Sequence, residues 1–164
     1  KPLLHHGGLL GRIVGGWEVN GISTLLSGPP LQVVGGNTTG AFSGTTRPNW
    51  NGKDATRDGA VQGRLASYFD TSVFTLNDPY TFGNAPRIMP NLYGPGTANF
   101  DLSVFKNTTI TEGKRLQFRA EAFNAFNRVQ FSNPNTTITS NAFGRISGQQ
   151  NSPRDIQLAL KFLF

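Results

Sequence analysis

Apolar and polar side chains alternate along parts of this chain, most regularly over residues 154–164, which read RDIQLALKFLF. Even positions from Ile156 to Phe164 are all apolar, whereas odd positions from Asp155 to Lys161 are polar or small. Because successive side chains of a strand point to opposite faces, this period of two predicts a two-faced strand. Chain ends usually fray, so the bulky terminal aromatic indicates that the last strand is held in place.

Three earlier segments have the same strand character, at about the 9–11 residues that a tilted membrane strand needs. They are residues 12–26, 97–110 and 115–127. In the first segment, Ile13, Trp17 and Val19 are expected to share one face before the pattern becomes irregular. The four segments together predict an antiparallel, all-β architecture.

A helix is the alternative for residues 115–127, since Arg, Leu, Gln, Ala and Glu are good helix formers. Helical spacing, however, would place Arg119 in the same stripe as Leu116 and Ala120. A period of two separates the charged from the apolar side chains cleanly, so we predict a strand.

The link between the second and third segments, ITEGKR, is short and contains Gly113, which predicts a tight hairpin. Apolar positions are even-numbered on both sides of the link, so paired residue numbers must sum to an even number. We therefore predict a three-residue loop, Thr111, Glu112 and Gly113, with the glycine in the left-handed region. The predicted pairs are Ile110 with Lys114, Lys106 with Phe118, and Val104 with Ala120.

The other two connections, about residues 35–96 and 132–152, are long and rich in Gly, Asn, Thr and Pro. Their composition predicts extended surface loops with short pieces of strand. An order of long, short and long connections is typical of transmembrane β-barrels, which have short periplasmic turns and long extracellular loops. If the chain ends at the periplasm, the loop at 111–113 is periplasmic and both long connections are extracellular.

Composition agrees with strands and turns, because the chain has 20 Gly, 10 Pro and 13 Phe. The absence of cysteine excludes disulfides, thiolate metal sites and cysteine nucleophiles. A net charge of +6 suggests nucleic-acid binding, but the arginines are dispersed along the chain and form no basic cluster. The sequence contains no run of about 18 apolar residues, which a membrane-spanning helix would need, so strands are the remaining way to cross a membrane.

Few residues offer catalytic chemistry. His5 and His6 are adjacent, so in a strand they would face opposite ways, which suits a metal poorly. Without a central histidine a hydrolase triad has no general base. Asp101 and Glu121 fall on one face of neighbouring strands, as sugar hydrolysis requires, but polar residues are expected on that face anyway. We expect no enzymatic activity, no cofactor and no metal.

Six stretches follow one another from about residue 11 to 164: GWEVNGISTLLSGPPLQV, GTTRPN, TFGNAPR with GPGTANFDLSVFKN, LQFRAEAFNAFNRVQFSNPNT, FGRI, and PRDIQLALKFLF. In this order they resemble the C-terminal end of Oar-like TonB-dependent outer-membrane receptors, which carry a carboxypeptidase-regulatory-like domain at the N-terminus. The segment PRIMPNLYGPG departs from the family, which runs more directly into GPG.

This resemblance implies that residues 1–164 are the C-terminal part of a barrel of about 22 strands. Four strands cannot close one, so we expect a fragment, an incomplete barrel whose plug and N-terminal domains are absent. The parent receptor would lie in the outer membrane of a Gram-negative bacterium and import an unidentified ligand. Its expected partners are outer-membrane lipid, the barrel-assembly machinery, that ligand, and TonB through the missing N-terminal part; nucleic acid is not among them.

Two sets of residues receive roles in this interpretation. Alternation within a barrel predicts five lumen-facing side chains: Asp101, Gln117, Arg119, Glu121 and Gln157. The resemblance to outer-membrane proteins with a C-terminal aromatic implies an assembly signal formed by Leu160, Phe162 and Phe164.

Two other architectures have the same alternation. A trimeric autotransporter anchor also takes four strands from each chain, although its compact hairpins do not accommodate residues 35–96. A soluble, secreted, ligand-binding β-sandwich would pack the apolar faces together. Periodicity does not choose among the three, but the terminal phenylalanine and the asymmetry of the connections favour the receptor barrel.

Overall fold

A computed structural model describes residues 9–40 and 44–164 of the chain, so His5 and His6 lie outside the described residues. The described chain forms two compact units. The sheet unit contains the described residues up to 25 together with residues 98–129 and 152–164. The loop unit contains residues 26–97 and 130–151, apart from those not described.

Strands dominate the regular structure, as the sequence predicts. The elements are α1 (Leu9–Val14), β1 (Trp17–Leu26), β2 (Asn49–Trp50), β3 (Phe74–Thr75), β4 (Thr97–Thr111), β5 (Lys114–Phe123) and β6 (Asp155–Leu163), with 3-10 helices at Val61–Arg64 and Thr71–Val73. A four-stranded sheet has the order β1-β4-β5-β6, and β2 pairs with β3 in a separate two-stranded sheet. Within the described residues the larger sheet is open, with β1 and β6 as its edge strands, as expected for part of a barrel.

All four predicted strands are confirmed, but the first begins later than expected. Leu9–Val14 form α1, so Ile13 is helical and does not share the strand face of Trp17 and Val19. The helix ends at a glycine pair in which Gly16 has a φ of +76°. Glycine reaches this left-handed conformation without steric strain, which makes it a common helix stop.

The third strand is a strand and not a helix, but it ends at Phe123 instead of continuing to residue 127. Asn124 and Asn127 both have a φ of +49°, which turns the chain away from the sheet. Asparagine is enriched among the non-glycine residues that adopt this conformation.

The hairpin register is confirmed in the strands and wrong at the loop. Lys106 pairs with Phe118 as predicted, but Thr111 pairs with Lys114, so the turn holds only Glu112 and Gly113. The predicted pair of Ile110 with Lys114 is absent because the register shifts between Thr109 and Thr111. A bulge at Ile110 takes up the extra residue that parity demands, and Gly113 has the predicted left-handed φ of +79°.

The long connections are not extended, contrary to the prediction, although the short strands β2 and β3 are present. They fold together around a hydrophobic core that contains all the buried apolar residues of the described chain. Ile146 brings the second connection into this core. The core residues are Leu31, Val33, Ala55, Tyr68, Phe69, Val73, Phe74, Ala85, Met89, Leu92 and Ile146.

Aromatic packing joins the two connections within the loop unit. The Phe69 ring lies edge to face with Phe143 at a centroid distance of 5.4 Å and with Phe74 at 6.1 Å. Such pairs add about 0.5–1.5 kcal/mol to the burial of their area. Gly83 shows how close the backbone packing is, because a methyl group there would collide with the carbonyl oxygens of Arg47 and Pro48.

Polar groups of the loop unit are paired around this core. Tyr68 donates its hydroxyl to the carbonyl of Tyr93 at 2.9 Å, and its burial raises the pKa of the phenol. Asp70 caps the 3-10 helix by accepting bonds from the Ser72 backbone N–H at 3.0 Å and the Ser72 hydroxyl at 2.7 Å. These bonds, with a smaller contribution from Arg57, lower the pKa of Asp70.

We expect Phe69→Ala to destabilise the loop unit by about 3–5 kcal/mol, the usual effect of removing a buried phenylalanine side chain. Phe69 is fully buried between two other rings, so its removal leaves a cavity and two lost aromatic contacts. Hydrogen exchange of amides in the loop unit should become faster by several orders of magnitude. The control is Phe82→Ala, whose ring is 76% exposed; equal protection in the two variants would contradict this core.

Candidate functional site

Cross-strand pairing arranges the side chains of β4, β5 and β6 into rows across the sheet. One row contains Val104, Ala120 and Leu158, and the next contains Ser103, Glu121 and Gln157. Every pair joins residues of the same parity outside the hairpin turn. The even-numbered residues of these strands therefore form one face, the even face, and the odd-numbered residues form the odd face.

The even face is apolar and exposed. Leu158 and Leu160 are each 68% exposed, although both lie in the middle of β6. The neighbouring strand β1 contributes to the same face, since the Trp17 ring lies 5.3 Å from the Lys106 ammonium. The other exposed apolar residues of this face in β4, β5 and β6 are Leu102, Ile110, Phe118, Ile156 and Phe162.

The odd face carries the polar residues that the sequence assigns to the lumen. Pairing brings Gln117 opposite both Asn107 and Lys161, and Glu121 opposite both Ser103 and Gln157. Asp101 has the same parity on β4. The prediction that the five residues share a face is consistent with this register; that the face lines a lumen stays a prediction.

Side chains on the odd face bind one another in short links. The Arg119 guanidinium contacts the Glu121 carboxylate at 3.0 Å and lies 4.7 Å from the Phe105 ring centroid. Gln117 donates its amide to Asn107 at 2.9 Å. Arg119 also has a buried Nε without a hydrogen-bond acceptor among the described residues. Phe105 is an aromatic on the polar face that the sequence analysis did not single out.

Asp101 has a structural role at the end of the sheet that is opposite the hairpin turn. Its carboxylate accepts the backbone N–H of Asn124 at 2.8 Å and the side-chain amide of Asn99 at 2.9 Å. Glu121, the other carboxylate considered for sugar hydrolysis, pairs with Arg119. Both carboxylates therefore have partners within the sheet unit. The Asp101 carboxylate holds the backbone that follows β5, and the Glu121 carboxylate holds the Arg119 side chain.

Lys106 is a charged residue on the apolar even face, and sequence reasoning missed its role. Its ammonium donates to the carbonyls of Arg12 at 2.7 Å, Ile13 at 3.1 Å and Gly15. These carbonyls lie at the C-terminal end of α1, where a cation is favoured. The Trp17 indole adds a bond from Nε1 to the Ile13 carbonyl at 3.0 Å. Lys106 thus fastens α1 to β4.

The residues of the predicted assembly signal lie at the end of an edge strand. The rings of Phe162 and Phe164 are 6.0 Å apart, and Phe164 is 96% exposed beyond the end of β6. Leu160 has the same parity. All three are accessible to another protein, while their function as a signal stays a prediction.

The part of the chain that the structure describes contains neither a group of metal ligands nor a membrane-spanning helix. No three His, Cys, Asp or Glu side chains there come together as metal ligands. None of the helices in that part is both long and apolar enough to cross a membrane.

Comparison of the sequence with models of protein families assigns the chain to a family. The family model of an outer membrane beta barrel domain matches residues 1–157. The chain belongs to this family. No match was found among curated proteins or among solved structures. Membership places the chain in the outer membrane, where strands alternate between apolar side chains toward lipid and polar side chains toward the interior.

We expect the even face to meet lipid, and Leu158→Arg to test it. A guanidinium in the hydrocarbon near the midplane costs about 2–4 kcal/mol, so the folded, heat-modifiable protein should be depleted from outer membranes. Gln157→Arg on the odd face should be tolerated. Folded protein is measured by the gel mobility of unheated and heated samples.

The Leu158→Phe variant separates lipid from a packed core. Fluid acyl chains accept the added ring, whereas a close-packed interior would lose about 1–3 kcal/mol. We expect Leu158→Phe to accumulate as the unsubstituted protein does. Loss of folding with Leu158→Phe, or equal tolerance of both arginines, would show that this face does not meet lipid.

Proposed function

We propose that this chain is part of the barrel wall of a TonB-dependent outer-membrane receptor that imports an unidentified ligand. The observation that carries the proposal is the contrast between the faces of one sheet in an outer-membrane barrel family: the even face is apolar and the odd face is polar. A polar interior suits a water-filled or plugged lumen.

The loop unit supports a receptor better than a simple anchor. A connection as long as residues 26–97 is uncommon unless it is functional, and here it shares a core with residues 130–151. Folded loops offer a surface of fixed shape for a ligand outside the cell. The compact hairpins of a trimeric anchor are too short to form such a core.

The remaining expectations follow from this assignment. The partners we propose are outer-membrane lipid on the even face, the assembly machinery at the end of β6, the ligand, and TonB through other parts of the receptor. We propose no catalysis and no nucleic-acid binding. Phe105 and Glu121 already engage the Arg119 guanidinium, and the other basic residues are scattered.

The full-length receptor should bind the periplasmic domain of TonB, because energised import requires that contact. Purified receptor in detergent is passed over immobilised TonB domain, and retention is measured. We expect retention of the full-length protein and none of residues 1–164 alone, which lack the TonB-contacting segment in this proposal. A full-length protein that passes through unretained would refute the assignment to TonB-dependent import.

Deleting Phe164 from the full-length receptor should lower its amount in the outer membrane. The terminal ring is the most exposed large apolar side chain of the described residues and is available to the assembly machinery. The level of folded receptor is measured by immunoblot of membrane fractions. Phe82→Ala, which removes another exposed ring, is the control; unchanged levels and folding after deletion of Phe164 would remove the assembly role.

A further inference from the structure

The end of the sheet nearest the long connections carries a cluster that no role above explains. We call Phe100, Phe126 and Arg154 the rim cluster. Arg154 directly precedes β6 and continues the even-numbered series of Ile156 and Leu158. Phe100 is an even residue of β4, and its ring packs against Phe126 at 5.3 Å. The cluster therefore lies where the apolar even face ends.

Hydrogen bonds hold the backbone of the rim cluster in place. The Asn124 amide donates to the carbonyls of Arg128 at 3.1 Å and Ser152 at 3.2 Å, which joins the turn after β5 to the segment before β6. Asn127 accepts the backbone N–H of Arg154 at 3.0 Å. The turn thus presents its side chains from a fixed backbone, which lowers the entropy lost on binding.

Arg154 offers an exposed cation to an anion. Its guanidinium has one long contact, 3.5 Å to the Ala125 carbonyl, and no carboxylate of the described residues forms an ion pair with it. Asp155, which follows Arg154 in the sequence, and Asp101 of β4 both have odd parity and belong to the odd face. An arginine matches a phosphate geometrically because its planar fork can donate two parallel bonds.

The apolar part of the cluster also faces outward. Phe126 is 63% exposed although it packs against Phe100. The Arg154 guanidinium reaches the carbonyl of Ala125, the residue before Phe126. An exposed cation beside a turn that carries an exposed ring suits a ligand that is anionic at one end and apolar at the other.

The distance along β6 agrees with a membrane boundary at this cluster. Ten residue steps separate Arg154 from Phe164, about 33 Å along a strand. At the usual tilt of about 40° this length spans about 25 Å of membrane, the height of the apolar band of an outer-membrane barrel. If Phe164 lies at one boundary, Arg154 lies at the other, at the level of the lipid headgroups.

We propose that the rim cluster binds a phosphorylated glycolipid of the outer leaflet, of the lipid A type. Arg154 contacts a phosphate on the sugar head, and Phe126 packs against the first carbons of an acyl chain. This inference rests on the proposed function, which places the long connections outside the cell. It adds a fixed lipid ligand to a wall that otherwise meets fluid hydrocarbon.

Binding is measured with full-length receptor in detergent, fluorescent lipid A as the probe, and titration to a dissociation constant. We expect Arg154→Gln to weaken binding about tenfold, since a charge-assisted bond to phosphate is lost. Phe126→Ala should weaken binding of acylated lipid A but not of its deacylated, phosphorylated sugar. The matched control is Arg115→Gln, an exposed arginine of the sheet unit near the hairpin turn, which should leave the constant unchanged.

Three outcomes would overturn the proposal, provided that each variant keeps its heat-modifiable fold. One is equal affinity of Arg154→Gln and the unsubstituted receptor. Another is equal binding of lipid A after removal of its phosphates. The last is equal competition by phosphatidylglycerol vesicles, which would indicate a general response to anionic lipid.

A labelling experiment distinguishes this failure from failure of the proposed function. The chain contains no cysteine, so Asp58→Cys in the loop unit and Glu112→Cys in the hairpin turn each add one thiol to it. A membrane-impermeant maleimide on whole cells should label Asp58→Cys alone. Reversed labelling would overturn the orientation and with it the outer-leaflet ligand. Labelling of Asp58→Cys alone, combined with an unchanged lipid A affinity of Arg154→Gln, would overturn only the role of the rim cluster.

Discussion

Cross-strand pairing along β5 is the constraint on which the rest of the sheet depends. Both neighbours of β5 pair with it through residues of equal parity, as in the row of Val104, Ala120 and Leu158. A slip of one residue would exchange the two faces of a strand completely. The bulge at Ile110 protects this arrangement, because it lets a two-residue turn close the hairpin without changing the register above it.

Parity explains which parts of the molecule the sequence predicts. The strands and most of their register follow from alternation, so the shared face of Gln117, Arg119 and Glu121 could be placed without a structure. The hairpin turn could not, because a three-residue loop and a two-residue turn with a bulge satisfy the same parity. The contacts of Lys106 could not be predicted either, because its partners are backbone carbonyls of a short helix, and a pattern of period two does not indicate a helix.

The loop unit shows the limit of reasoning from local pattern. Its composition is that of a loop, and its core residues have no regular spacing, yet Phe69, Phe74 and Phe143 pack as a tight aromatic group. Such a core depends on contacts between residues far apart in the sequence. The two units therefore differ in burial: the loop unit packs apolar side chains into its own core, whereas the apolar side chains of the even face stay exposed.

The contact between Phe69 and Phe143 also has a consequence for the order in which the chain acquires structure. The two rings are 5.4 Å apart, but β4, the hairpin turn and β5 all lie between them in the sequence. Closing so long a stretch of chain is slow, because its entropy is lost before the contact is gained. A hairpin forms within microseconds. The core of residues 26–97 therefore stays incomplete until residues 130–151 have been synthesised and have packed against them.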